Sequence, residues 1–93
     1  MSTRRPRYRY IAFRVDGARA FSRREVVAAL RDASEPLWLV SFESPLGLVR
    51  STNLRKDRAI RALQTVTAIA GEPVRVTTLG TSGTIRRASA KYL

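Results

Sequence analysis

The sequence contains no cysteine and no histidine in its 93 residues. Without cysteine there is no disulfide, no thiol nucleophile and no thiolate metal site. Without histidine the imidazole acid–base route and the commonest zinc ligand are missing as well. Carboxylates are scarce: Asp16, Asp32, Asp57, Glu25, Glu35, Glu43 and Glu72 are the whole set. Most fall in loops or at helix ends, and the pattern brings no two of them into one cleft. Acid–base and two-metal chemistry need convergent carboxylates, so no catalytic residue and no metal ligand is assigned, and no cofactor is expected on the protein itself. No apolar run approaches the roughly 20 residues of a membrane-spanning helix, and the basic N-terminus is not followed by the apolar stretch of a secretory signal. A cytoplasmic protein with no membrane partner is expected.

What the chain has in excess is positive charge. Eighteen Lys and Arg stand against seven Asp and Glu, a net charge of +11. An imbalance of this size in one small domain points to a polyanionic partner, with nucleic acid foremost. Nearly all of it is Arg, with only Lys56 and Lys91 as lysines. Arg binds phosphate in bidentate fashion and stacks on bases.

Residues 1–7, MSTRRPR, read as a flexible basic arm ahead of one domain spanning residues 8–93. Tyr8 to Val15 alternates and is rich in β-formers, which predicts a strand. Ser22 with Glu25 forms a capping box, stapled by Phe21 and Val26, and starts a helix running to about Ala33. Pro36 stops any continuation. Leu37 to Glu43 and Leu46 to Ser51 predict a hairpin turned at Ser44-Pro45. Asn53 is expected to cap a helix from Leu54 to Ala70, closed by Gly71. Pro73 to Leu79 is the last strand, and Ile85 to Tyr92 a short terminal helix. The βαββαβ order predicts an α+β, ferredoxin-like fold: a four-stranded antiparallel sheet with helices on one face, plus the C-terminal helix.

Strand alternation assigns Ile11, Phe13, Val15, Trp38, Val40, Phe42, Val49, Val74 and Val76 to the helix-covered face. Tyr8, Tyr10, Ala12, Arg14, Leu39, Leu48, Arg50, Arg75, Thr77 and Leu79 then lie on the other. That second face is apolar in the middle and basic at its edges. Either it is open for a partner or the terminal helix folds back over it. Sheets of this topology can stack bases on aromatics of the first and third strands. Here Tyr10 suits the first strand, but Leu48 stands where the third-strand aromatic should be, so base-specific reading of single strands is not expected. The second helix carries Arg55, Lys56, Arg58 and Arg61. With Arg7, Arg9, Arg14, Arg50, Arg86, Arg87 and Lys91 these form the expected phosphate-contacting set.

Gly80-Thr81-Ser82-Gly83-Thr84 follows a strand and precedes a helix, as a phosphate-cradling loop would. The Gly-Lys-Ser/Thr ending of a nucleotide loop is missing, because Gly83 is followed by Thr84. A two-glycine turn with Thr84 as N-cap is expected, leaving open whether its amides also hold one RNA phosphate.

The segments RYIAFRV, GLVR, the basic second helix and VRVTTLGTSGTIRR, in that order, resemble the small ribonuclease P/MRP protein subunits of the Pop-five/Rpp-fourteen type, archaeal members included. The similarity covers about Arg9 to Leu93, and TLGTSGTIRR is its most specific part. The resemblance implies a non-catalytic subunit of the ribonucleoprotein that removes the 5′ leader of precursor tRNA. The ribonuclease P RNA would be the catalyst and would carry the magnesium, with precursor tRNA met indirectly. It further implies a TIM-barrel ribonuclease P protein subunit as partner, in a heterodimer or heterotetramer. The sheet face around Tyr8, Tyr10, Leu39, Leu48 and Leu79 is the expected contact for that partner. The alternative is a free-standing RNA-binding protein of ribosomal or RNA-chaperone type.

Overall fold

The computed structural model describes residues 7–93. Its elements are β1 (Tyr8–Gly17), α1 (Arg23–Arg31), β2 (Trp38–Glu43), β3 (Leu46–Thr52), α2 (Lys56–Gln64), β4 (Ala68–Ile69), β5 (Glu72–Ser82) and α3 (Ile85–Tyr92). The chain is an α+β protein with one sheet of order β2-β3-β1-β5-β4. Every pairing in it is antiparallel. Among the described residues the sheet therefore has five strands where the sequence predicts four.

The additional strand comes from the far end of the expected second helix. That helix stops at Gln64, not at Ala70. Thr65, Val66 and Thr67 are all β-branched and lose side-chain freedom in a helix. The Thr65 hydroxyl donates to the Ala62 carbonyl at 2.7 Å and closes the last turn. Ala68 and Ile69 then pair with Pro73 and Glu72. Ala70 and Gly71 form the two-residue connection with φ of 53° and 78°, the backbone of the favoured hairpin turn. Gly71 is thus a hairpin residue and not a helix stop. Asn53 does not cap α2, whose N-cap position is Arg55 without a side-chain bond. Instead Asn53 Oδ1 accepts from the Arg7 N–H at 3.1 Å, and the Asn53 N–H donates to the Arg7 carbonyl at 2.8 Å. Arg7, expected in a loose arm, is fixed by this pair; the rest of that arm, residues 1–6 with Arg4 and Arg5, lies outside the described residues.

The other helices follow their sequence signals. Ser22 and Glu25 close the capping box of α1, which buries Val26 and Leu30. Thr84 caps α3 by accepting from the Arg87 N–H at 3.1 Å. The larger core lies between the sheet and α1 with α2. It gathers Ile11, Phe13, Val15, Phe21, Val26, Leu30, Phe42, Val49, Ala59, Leu63 and Ile69. Each large side chain in it contributes about 1.5–3 kcal/mol by burial. A smaller core lies on the opposite face, where Ala88 of α3 packs on Ala12 and Leu48, with Tyr10, Val40 and Tyr92 around them. The terminal helix therefore does fold over the second face.

Two bulges reset the alternation. In β2, Leu39 pairs with Val49 and Ser41 with Leu48, leaving Val40 as the extra residue. An extra residue shifts everything on one side of it to the opposite face. Phe42 keeps its expected place in the larger core, but Leu39 joins it there, while Val40 packs in the smaller core. Trp38 comes out exposed. In β5, Ala12 pairs with Gly80 and Phe13 with Thr78, so Leu79 is the bulged residue.

Candidate nucleic-acid interface

Cationic side chains dominate the surface, and the structure separates those already neutralised from those that are not. Arg14 pairs with Asp16 at 2.9 Å, and Arg55 pairs with Glu35 at 3.1 Å. Arg19 holds both Glu25 and Glu72 and lies over the Phe21 ring at 4.5 Å. The Arg19 guanidinium, together with the Ser22 amide, pulls the Glu25 carboxyl from 4.5 down to about 2. The two carboxylates, Glu25 first, hold the Arg19 guanidinium above its ordinary value. Four of the seven carboxylates are thus committed to the protein's own arginines. Among the described residues no group of three His, Cys, Asp or Glu comes together to hold a metal ion.

Of the expected phosphate contacts, Arg14 and Arg55 are therefore internally matched. Arg7, Arg9, Arg50, Lys56, Arg58, Arg61, Arg86, Arg87 and Lys91 form no ion pair among the described residues. They do not share one surface. Lys56, Arg58 and Arg61 belong to α2, whose buried side faces the larger core. Arg86, Arg87 and Lys91 belong to α3, on the opposite side of the sheet. On that side Arg87 and Lys91, one turn apart, line a shallow depression with Thr81, Ser82, Gly83 and Ala90. The Arg9 guanidinium lies beside Gly83 at the β5–α3 junction.

The glycine segment is mostly strand. Gly80, Thr81 and Ser82 pair with Ala12, Ile11 and Tyr10, so they do not form the expected loop. Gly80 is needed because the Tyr92 ring lies directly on it. Thr81 and Ser82 then lie along the wall of the cationic depression, with Ser82 opposite Tyr10 on the α3 side of the sheet.

The anticipated protein contact is altered by the second core. Leu48 is fully buried under α3, and Leu39 is buried in the larger core, so neither is a surface residue. Tyr8 and Leu79 are exposed. Sequence reasoning also missed Trp38, which is 64% exposed. Arg50 is stacked between Trp38 and Tyr8, its guanidinium carbon 4.7 Å and 4.4 Å from the two ring centroids. Leu37-Trp38-Leu39-Val40 is a continuous apolar run with no alternation, so periodicity alone could not assign its faces.

Fold and surface together define a small α+β protein with a largely unneutralised cationic surface. The chain belongs to the Rpp14/Pop5 family, whose profile matches residues 29–93, from the last turn of α1 onward. It is similar to proteins named ribonuclease P protein component 2. That of Archaeoglobus fulgidus is 35% identical over 96% of this chain and 91% of the relative. That of Thermococcus gammatolerans is 36% identical over 98% and 87%. That of Methanocaldococcus jannaschii is 32% identical over 98% and 76%.

Proposed function

We infer that this chain is a non-catalytic protein subunit of a ribonuclease P ribonucleoprotein. It binds and stabilises the RNA that removes 5′ leaders from precursor tRNA. The observation that carries this reading is family membership along nearly the whole chain, joined to a cationic surface that the protein's own carboxylates leave uncompensated. Neutralising RNA phosphates lets the RNA fold compactly, and the release of counterions supplies affinity that falls with salt. The order of β2, β3, β1 and β5 is that of a ferredoxin-like split βαβ sheet, with α1 and α2 on one face; β4 and α3 are additions to it. A TIM-barrel protein subunit belongs to this reading as second partner. Of its anticipated contact Tyr8 and Leu79 are exposed and Tyr10 is half-buried. A cytoplasmic location goes with the same reading, and no helix among the described residues is long and apolar enough to cross a membrane.

The test is cleavage of precursor tRNA by a reconstituted ribonuclease P with and without this chain. Omission is expected to slow cleavage and raise the magnesium requirement. Unchanged rate and unchanged magnesium dependence would defeat the proposal, and recovery of ribosomes without ribonuclease P RNA in a pull-down would favour a free-standing RNA-binding protein.

A further inference from the structure

The Trp38–Arg50–Tyr8 stack is unlike the rest of the surface. Trp38 is 64% exposed and Tyr8 51%, and they are two of the few large exposed apolar side chains among the described residues. The smaller core holds neither of them, although they share its face of the sheet. Arg50 lies against both rings and has no carboxylate partner among the described residues. Its flat guanidinium bridges the two aromatics. The position is set by register: Trp38 stands opposite Arg50, Arg50 opposite Tyr10, and Tyr10 opposite Ser82. This cross-strand row runs from the stack at the β2 edge towards the depression lined by Ser82, Arg87 and Lys91. At about 4.8 Å between strands the row is about 14 Å long, within the span of a short single-stranded segment.

We propose that Trp38, Arg50 and Tyr8 form a platform on which an unpaired RNA base stacks, with the adjoining cations holding the flanking phosphates. The proposal rests on the RNA-binding reading above and gives it a particular surface and a particular class of RNA. Charge decides between nucleic acid and a protein partner. An exposed aromatic stack could serve either, but its centre is a guanidinium with no ion pair among the described residues, Arg9 lies at the same end of β1, and the chain carries +11 overall. The base-stacking sheets of this topology draw their aromatics from the first and third strands. Here the bulge in β2 brings one to an edge strand instead, beside Tyr8 of β1.

Trp38 is the only tryptophan in the chain, so its fluorescence reports on this site alone. The full chain is titrated with a 12-nucleotide single-stranded oligoadenylate and with a 12-base-pair RNA duplex, both end-labelled for anisotropy. The expected result is quenching of Trp38 by the single strand and little by the duplex. Trp38→Ala should weaken single-strand binding about five-fold or more, Trp38→Phe should retain most of it, and duplex affinity should hardly change. The side chain is largely exposed, so circular dichroism should show both variants folded. Anisotropy showing single-strand binding with undisturbed Trp38 fluorescence, and equal affinity for Trp38→Ala, overturns the platform while leaving RNA binding standing. Absence of binding to either RNA overturns the RNA-binding reading and the platform with it. Retained RNA affinity in Trp38→Ala, coupled to loss of a TIM-barrel subunit from the assembled particle, overturns it in favour of a protein contact.

Discussion

Gly80 lies directly beneath Tyr92, so close that a Cβ at position 80 would stand 2.7 Å from the ring Cε1 and nearer still to its outer atoms. Gly47 bears the same relation to Phe13, whose Cε1 would also be 2.7 Å from an added Cβ. The two contacts differ in what can give way. Tyr92 is the last residue of α3 and can swing outward, whereas Phe13 is buried in the larger core and stacked on Phe42 at 6.2 Å. Overpacking typically costs about 1–3 kcal/mol. Gly80→Ala is expected at the low end of that range and Gly47→Ala at or above the high end, as read from urea unfolding. Equal losses would show that α3 is held as rigidly as the core.

Ala70 adopts φ of 53° at the first position of the β4–β5 turn, a conformation that costs a Cβ-bearing residue about 1–2 kcal/mol. Ala70→Gly and Ala70→Asn should each stabilise the protein by about 0.5–1 kcal/mol, raising Tm by a few degrees. A lower Tm in both would show that the turn is not formed in this way.

The Arg19–Glu25–Glu72 cluster ties the connection after β1 to the first turn of α1 and to the start of β5. Glu25 has its folded pKa lowered to about 2 from 4.5. A depressed carboxyl contributes stability that is complete above the unfolded value and is lost as pH falls through the folded one. The contribution should therefore be constant above about pH 4.5 and decline towards pH 2. Glu25→Gln should be less stable than the parent at neutral pH and lose less over that interval, measured by urea denaturation at stepped pH. Parallel curves for the two proteins would remove Glu25 as the source.

Arg87 and Lys91 share one depression and have no carboxylate partner among the described residues, whereas Arg14 is matched by Asp16. Arg87→Gln combined with Lys91→Gln should weaken RNA binding and reduce the slope of log K against log salt by about 1–2, since each phosphate contact contributes roughly 0.7–0.9. Arg14→Gln should change the slope little. A titration series in potassium chloride that gives the same slope for all three proteins would exclude the α3 depression from the RNA contact.

Thr84 supplies the side-chain cap of α3. Thr84→Ala should cost about 1 kcal/mol and Thr84→Ser only a few tenths. The loss should appear first as increased amide exchange in α3, because only that helix depends on the bond.

The sequence by itself determined the element types of most of the chain, the start of α1, the cap of α3, the cationic character and the family likeness. These are local or additive properties: a capping box needs residues three apart, and net charge needs only a sum. It also showed that Gly80-Thr84 lacks the lysine of a nucleotide loop. The β-branched run Thr65–Val66–Thr67 weakens α2 beyond Gln64, but only the tertiary structure decided that Ala68 and Ile69 leave the helix to pair with β5. Only it decided that α3 covers Leu48, and that a single extra residue at Val40 sends Leu39 inward and Trp38 out beside Arg50. Alternation has a period of two and carries no information about a bulge. The pairing of β2 with β3 across the sheet is what sets that register, and with it the surface the protein presents.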